Sequence, residues 1–161
     1  MKRAILVALM AVGCLVWVVS AQAQVPKQLC LRVGSMDLYI VMAIKAFGSP
    51  ISFSSAKVKF YEIHGENTEG IGSDWALPIS GTGRMMGNIF HFSLTGSAVS
   101  SARLNSYHFE GTWNMTSNSG AISWSWTIPG ELTDDAVGVP LSMSNCKNLS
   151  LPETPRVTEA D

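Results

Sequence analysis

Apolar and polar residues alternate with a period of two through much of the chain after residue 30. The clearest stretch is 122–128, in which every second residue is large and apolar and the residues between are Ser or Thr. Such alternation places one face of a strand in the core and the other face in water. No stretch after residue 23 shows helical spacing of apolar residues for more than two turns. The pattern predicts an all-β protein.

Turn-forming residues divide the alternating runs into eight candidate strands. These lie near 31–45, 51–53 merging into 56–64, 75–82, 88–95, 98–104, 106–115, 120–128 and 137–144. Positions 65–67 and 105–106 are among the predicted turns, because Gly, Asn and Ser favour turns there. Short strands with regularly spaced turns favour an antiparallel meander. We therefore expect either a closed barrel or a β-sandwich.

The segment 1–23 has the organisation of an export signal. A positively charged start at 1–3 is followed by an apolar or small stretch at 4–19, and 20–23 ends it in an Ala-x-Ala pattern. The apolar run is shorter than the ~20 residues that span a bilayer as a helix. We expect cleavage after Ala23 and a secreted or periplasmic protein, with a retained membrane anchor as the alternative.

Composition of the segment 24–161 limits the classes of function. Two of the chain's Lys and Arg lie in 1–3, which leaves 9 against all 12 Asp and Glu, a net charge of −3. A mildly acidic chain lacks the basic surface that nucleic-acid binding needs. The length suits one domain, which we assign to 24–146. The polar segment 147–161, with two prolines, is predicted to be a disordered tail.

Signal removal takes Cys14 away and leaves Cys30 and Cys146, which an oxidising compartment favours as one disulfide. The two cysteines bracket nearly all of the predicted strands. In an up-and-down barrel with an even number of strands, the start of the first strand lies beside the end of the last. The disulfide therefore fits a closed barrel, or a sandwich with adjacent end strands. A redox or metal-binding thiol pair is the alternative, but no Cys-x-x-Cys spacing supports it.

A short segment late in the chain resembles a known barrel motif. Gly111-Thr112-Trp113, followed by a turn and an aromatic strand, is similar to the opening strand of avidins and lipocalins. The resemblance covers only 111–128 and departs from both families in placement, since their motif lies in the first strand. No ligand residue is carried over. The resemblance implies a small, calycin-like barrel.

Candidate catalytic chemistry is sparse. The sequence contains no Gly-x-Ser-x-Gly turn, no phosphate-binding loop before a helix and no His-Glu-x-x-His helix. Glu62, His64 and Glu66 share one strand parity and could form a metal site, but such residues near a turn are more often a solvated edge. His91 and His108 are expected to face water or the polar side of a barrel wall. We predict no catalytic residue, no metal and no cofactor.

Large aromatic residues are the remaining candidates for a site. They are Phe90, Phe92, Trp113, Trp124 and Trp126. The first interpretation is that they fill the core, since each apolar ring is more stable out of water. The alternative is that they line a ligand pocket, because an eight-stranded barrel can hold one small ligand among its inner side chains.

Three hypotheses about function follow. The leading one is a small exported protein that binds an apolar ligand through these aromatic residues and performs no chemistry. The second is an envelope or surface module that contacts a protein partner. The third is an exported hydrolase whose site the sequence does not reveal. An outer-membrane barrel is a further competitor. The polar tail after the last strand argues against it, and we expect no stable membrane insertion after cleavage.

Overall fold

The computed structural model describes residues 23–53, 56–70, 76–100, 103–127, 133–145 and 147, which form eight antiparallel strands. They are β1 (Gln28–Val33), β2 (Leu38–Phe53), β3 (Ala56–Glu69), β4 (Leu77–Met86), β5 (Ile89–Ser100), β6 (Arg103–Asn114), β7 (Ser119–Thr127) and β8 (Asp134–Met143). The predicted signal and the predicted tail lie outside the described residues, except for Ala23 and Lys147. Within the described part of the chain, no helix has the length and apolar character needed to cross a membrane.

The strands pair in sequence order, and the first pairs with the last. The β1–β8 ladder places Leu31 opposite Met143 and closes the barrel. Because successive strands reverse direction, the turn at 34–37 lies at one end of the barrel and the turn at 87–88 lies at the other. We call these the β1–β2 end and the β4–β5 end. The all-β antiparallel meander expected from the sequence is confirmed, and of the two folds left open, barrel and sandwich, the structure is the closed barrel.

Three predicted segments differ from the structure, although the count of eight strands holds. Residues 51–53 were expected to merge into the strand at 56–64, but they form the end of β2. The predicted strand 31–45 is two strands, because Gly34, with a φ of +57°, turns the chain between β1 and β2. The inward residues then change from odd positions in β1 to even positions in β2. The predicted strand 98–104 is instead the end of β5 and the start of β6.

Two predicted turns are strand interior. Positions 65–67 lie within β3 and 105–106 lie within β6. At Gly65 the neighbouring strand comes so close that a Cβ would lie 2.0 Å from the carbonyl oxygen of Val41. The glycine therefore serves close pairing with β2 rather than a change of direction. Strand pairing on both sides of β3 overrides the local preference of Gly and Asn for turns.

The core lies inside the barrel and draws side chains from every strand. Its large rings pack against glycines of neighbouring strands. A Cβ at Gly83 would lie 2.5 Å from the ring of Phe90, and a Cβ at Gly111 would lie 2.2 Å from the ring of Phe92. Both rings are buried. Large and small residues therefore alternate around the inner wall, so that aromatic rings fill the interior without clashing with the next strand.

The barrel closes beside Cys30. This residue faces the outer side of β1, where it is buried with Tyr39 and Val41, and it is disulfide-bonded. Cys146 lies outside the described residues, so its pairing with Cys30 stays a prediction. The backbone N–H of Ser144 donates to the carbonyl oxygen of Cys30 at 2.8 Å. The chain after β8 therefore returns to Cys30 just before position 146.

Candidate functional site

Histidines on the outer wall form local pairs with carboxylates. His64 Nε2 lies 2.9 Å from Glu62 Oε1, and His108 Nε2 lies 3.2 Å from Glu110 Oε1. Each pair joins alternate residues of one strand and is largely open to solvent, so it contributes little to stability. Among the described residues, no group of three or more His, Cys, Asp or Glu side chains could hold a metal ion.

The aromatic residues predicted to bind a ligand are divided between the two ends of the barrel. Phe90, Phe92 and Trp113 are buried in the core toward the β4–β5 end, and the rings of Phe90 and Phe92 lie 6.0 Å apart. Trp124 and Trp126 are half-buried and lie further along β7, toward the β1–β2 end. The first three fill the interior, and the last two are only half-buried.

Inside the β1–β2 end, three buried polar atoms have no hydrogen-bond partner among the residues that the structure describes. They are Oδ1 of Asn67 on β3, Oδ1 of Asn105 on β6 and Nε1 of Trp126 on β7. Asn67 is only 5% exposed and Asn105 only 6%. Each of the three residues has the parity of the inward-facing residues on its strand. A buried polar group without a partner costs about 1–3 kcal/mol. Two acceptors and one donor thus lie unpaired on the inner side of the barrel.

Two further buried polar atoms in the described segments lack partners, but they lie elsewhere. Trp113 Nε1 is in the filled part of the core, and Glu66 Oε2 belongs to a residue on the outer parity of β3. The β1–β2 end therefore differs from these two places because three unpaired polar atoms lie together on the inner side of the barrel.

Tyr107 contributes aromatic surface to the same region. Its ring centroid lies 5.9 Å from that of Trp126 and 5.9 Å from that of Phe109. Its hydroxyl donates to the carbonyl oxygen of Pro78 at 2.8 Å. Burial raises the pKa of Tyr107 above 10.0, so the hydroxyl stays protonated at neutral pH. The region combines rigid aromatic surface with hydrogen-bonding groups of neutral side chains.

Asn67 and Asn105 belong to segments predicted as turns, so the sequence did not mark them as site residues. A signal was nevertheless present. Asn67 continues the inward parity of Tyr61 and Ile63, and Asn105 precedes Tyr107 and has the same parity. A polar residue at a position that alternation assigns to the core indicates a buried hydrogen-bonding group.

A groove of about 580 Å³ lies on the outer wall of β3 to β7. Two rows of side chains in cross-strand register form it. The first row is Phe60, Arg84, His91, Thr112 and Ala121, and the second is Thr82, Ser93, Glu110 and Ser123. Burial, and then the positive charge of Arg84, lowers the pKa of His91 below 6.5. At neutral pH the groove therefore holds an uncharged imidazole beside one cation and one anion.

The chain matches no family model, no curated protein and no solved structure. Function is therefore inferred from the side chains that the barrel brings together.

Proposed function

We propose that this protein is an exported, non-catalytic binding protein, and that the β1–β2 end of its barrel holds a small neutral ligand. The observation that carries this proposal is the set of unpartnered atoms at Asn67, Asn105 and Trp126. A ligand that donates to the two amide oxygens and accepts from the indole N–H would remove the cost of leaving them unpaired.

The surrounding side chains limit what such a ligand can be. Trp126, which is half-buried and packs against the buried ring of Tyr107, offers ring surface for an apolar or planar part of the molecule. Phe90, Phe92 and Trp113 occupy the interior toward the other end. The ligand is therefore small, confined to one end of the barrel, and polar where it meets the amides.

Two further observations support a role in an exported, aqueous setting. The core is inside the barrel and the outer wall carries charged residues such as Arg84 and Glu110, the reverse of a barrel embedded in lipid. The predicted signal and the disulfide-bonded Cys30 are typical of an oxidising compartment. The His–carboxylate pairs lie on the outer wall, away from the inner polar atoms, and for this reason binding is proposed rather than hydrolysis.

Native mass spectrometry of the protein purified from its source tests this proposal. The wild-type protein is expected to carry a non-covalently bound small molecule, and the double variant N67L/N105L is expected to lose it. Asn145→Leu is a matched control, because Asn145 is exposed and accepts only from the nearby backbone N–H of Lys147.

Either of two results would count against the proposal. The first is a wild-type protein of bare mass whose crystal structure shows only ordered water at both amides. The second is a bound molecule that the N67L/N105L variant retains as fully as the wild-type protein does.

A further inference from the structure

The groove on the outer wall is separate from the inner polar atoms, because its side chains point to the opposite side of the same strands. The first row of groove side chains runs across the strands from Phe60 through Arg84 and His91 to Ala121. At about 4.8 Å between neighbouring strands, five strands give a groove about 19 Å long. Its volume of about 580 Å³ lies within the range of small-molecule sites. The groove is long enough for an extended ligand that crosses the strands.

The floor of the groove is main chain, and the glycines on the inner side explain why. Gly83 and Gly111 both line the groove. On their inner side, the rings of Phe90 and Phe92 occupy the space that a Cβ would need. The backbone of β4 and β6 therefore lies directly on the core rings, which lowers the floor relative to the side chains around it.

An exposed aromatic pair lies at one end of the groove. Phe47 on β2 is opposite Phe60 on β3, and their ring centroids are 6.1 Å apart. Phe47 is 42% exposed, and Phe60 lines the groove next to Arg84. The core lies on the inner side of the barrel wall, so the outward-facing ring of Phe47 does not contribute to it. The pair offers a ligand the apolar faces of two rings that are tilted by 41° to each other.

The centre of the groove is polar and carries no net charge. The hydroxyls of Thr82, Ser93, Thr112 and Ser123 are short and leave the floor open. Arg84 adds a planar set of donors, and Glu110, whose Oε1 lies 3.2 Å from His108 Nε2, adds acceptor oxygens. Within the described part of the chain, no ion pair involves Arg84. A cation and an anion in one groove disfavour a ligand that is uniformly charged, since one of the two would repel it.

We infer that this groove binds a neutral oligosaccharide that lies across strands β3 to β7. A sugar ring presents an apolar C–H face, which fits the Phe47–Phe60 pair, and hydroxyls that both donate and accept. The rest of the oligosaccharide contacts Arg84, His91, Glu110 and the four hydroxyls. A protein partner fits less well, since the groove lacks the apolar centre that protein interfaces bury.

Isothermal titration calorimetry with the full mature protein tests the inference. The probes are the hexasaccharides of the malto, cello, chito and xylo series, with heparin as a polyanionic comparison. At least one neutral hexasaccharide is expected to bind, with an affinity that changes little between low and high salt. Arg84→Ala is expected to weaken it at least about tenfold, and Phe60→Leu about fivefold.

Matched variants separate this groove from other surfaces. Arg32→Ala is the control for Arg84, because Arg32 is an exposed arginine that pairs with Asp37 at the β1–β2 end. The N67L/N105L variant is expected to bind the hexasaccharide normally, so the inference stands or falls independently of the inner ligand. Far-UV circular dichroism of each variant confirms that it folds.

Three results would overturn the inference. The first is that no neutral hexasaccharide binds, and the second is that binding is unchanged in both Arg84→Ala and Phe60→Leu. The third is that heparin alone binds, with an affinity that falls steeply with salt, since this would show a site for polyanions.

Discussion

Replacing Gly111 by Ala is expected to destabilise the barrel through a single contact. The new Cβ would lie 2.2 Å from Cζ of Phe92, whereas ordinary contacts begin at 3.4 Å, so the ring must retreat to restore ordinary contact. Phe90, whose ring centroid lies 6.0 Å from that of Phe92, is also buried, so the Phe92 ring has little free space to move into. Overpacking of this kind costs about 1–3 kcal/mol, and the smaller unfolded-state entropy of Ala offsets up to about 1 kcal/mol. Taking the middle of each range, the net loss is expected to be about 1.3 kcal/mol.

A double-mutant cycle with Phe92→Leu isolates the contact. The three atoms that the Cβ would meet are Cζ, Cε1 and Cε2 of Phe92, and Leu has none of them. Gly111→Ala should therefore cost much less in the Phe92→Leu background, with a coupling energy of about 1–2 kcal/mol. Leu29→Ala, in β1, is the control partner, and its effect should add to that of Gly111→Ala within about 0.5 kcal/mol.

Urea unfolding of the oxidised protein, followed by tryptophan fluorescence, gives the free energy of unfolding of each variant. The reasoning would be refuted if Gly111→Ala were as stable as the wild-type protein. It would also be refuted if the coupling to Phe92→Leu were no larger than the coupling to Leu29→Ala. Either result would mean that the rings do not depend on the bare backbone of the neighbouring strand.

Three further predictions concern pH, the disulfide and the inner amides. The pKa of His91 in the folded protein lies below 6.5. The stability that neutral His91 contributes is therefore present above pH 6.5 and is lost as the pH falls through the folded-state pKa. An NMR titration of His91 giving a pKa of 6.5 or higher would contradict this. Peptide mapping without reduction should show Cys30 linked to Cys146, and reduction should lower the free energy of unfolding by roughly 4–5 kcal/mol; a link to any other cysteine would exclude the pairing. N67L/N105L should raise the free energy of unfolding by about 1 kcal/mol or more per site, because it removes the unpaired amides. Urea unfolding of protein freed of ligand by unfolding and refolding measures this, and a decrease would show that the amides have partners.

Strand content was predictable because alternation is a local property of the chain. The run at 122–128 indicates a strand with one dry face, and the structure has β7 there. The break within 31–45 was missed because apolar residues continue on both sides of Gly34, and only their parity changes. A change of parity is visible in the sequence, but it identifies a turn only when the position of the core is known.

The two candidate sites were harder to predict, each for a different reason. Asn67 and Asn105 have turn-forming side chains, and their burial follows from their place on the inner face of paired strands, which only closure of the barrel defines. The outer groove draws Phe60, Arg84 and His91 from three strands, and no spacing along the chain reports that they are neighbours.

The order of residues is enough to indicate that the two faces of each strand differ and that the chain is all-β. It placed Cys30 just before the first strand, whereas Cys30 lies within β1. Strand register and the closure of the barrel emerge only on folding. Register determines which side chain of one strand lies beside which side chain of the next, and closure turns one face of every strand inward. For this reason, alternation alone could place Phe92 and Trp113 on the apolar face of their strands. Only the folded barrel places the unpaired amides together at one end, and the aromatic and charged side chains together on its outer wall.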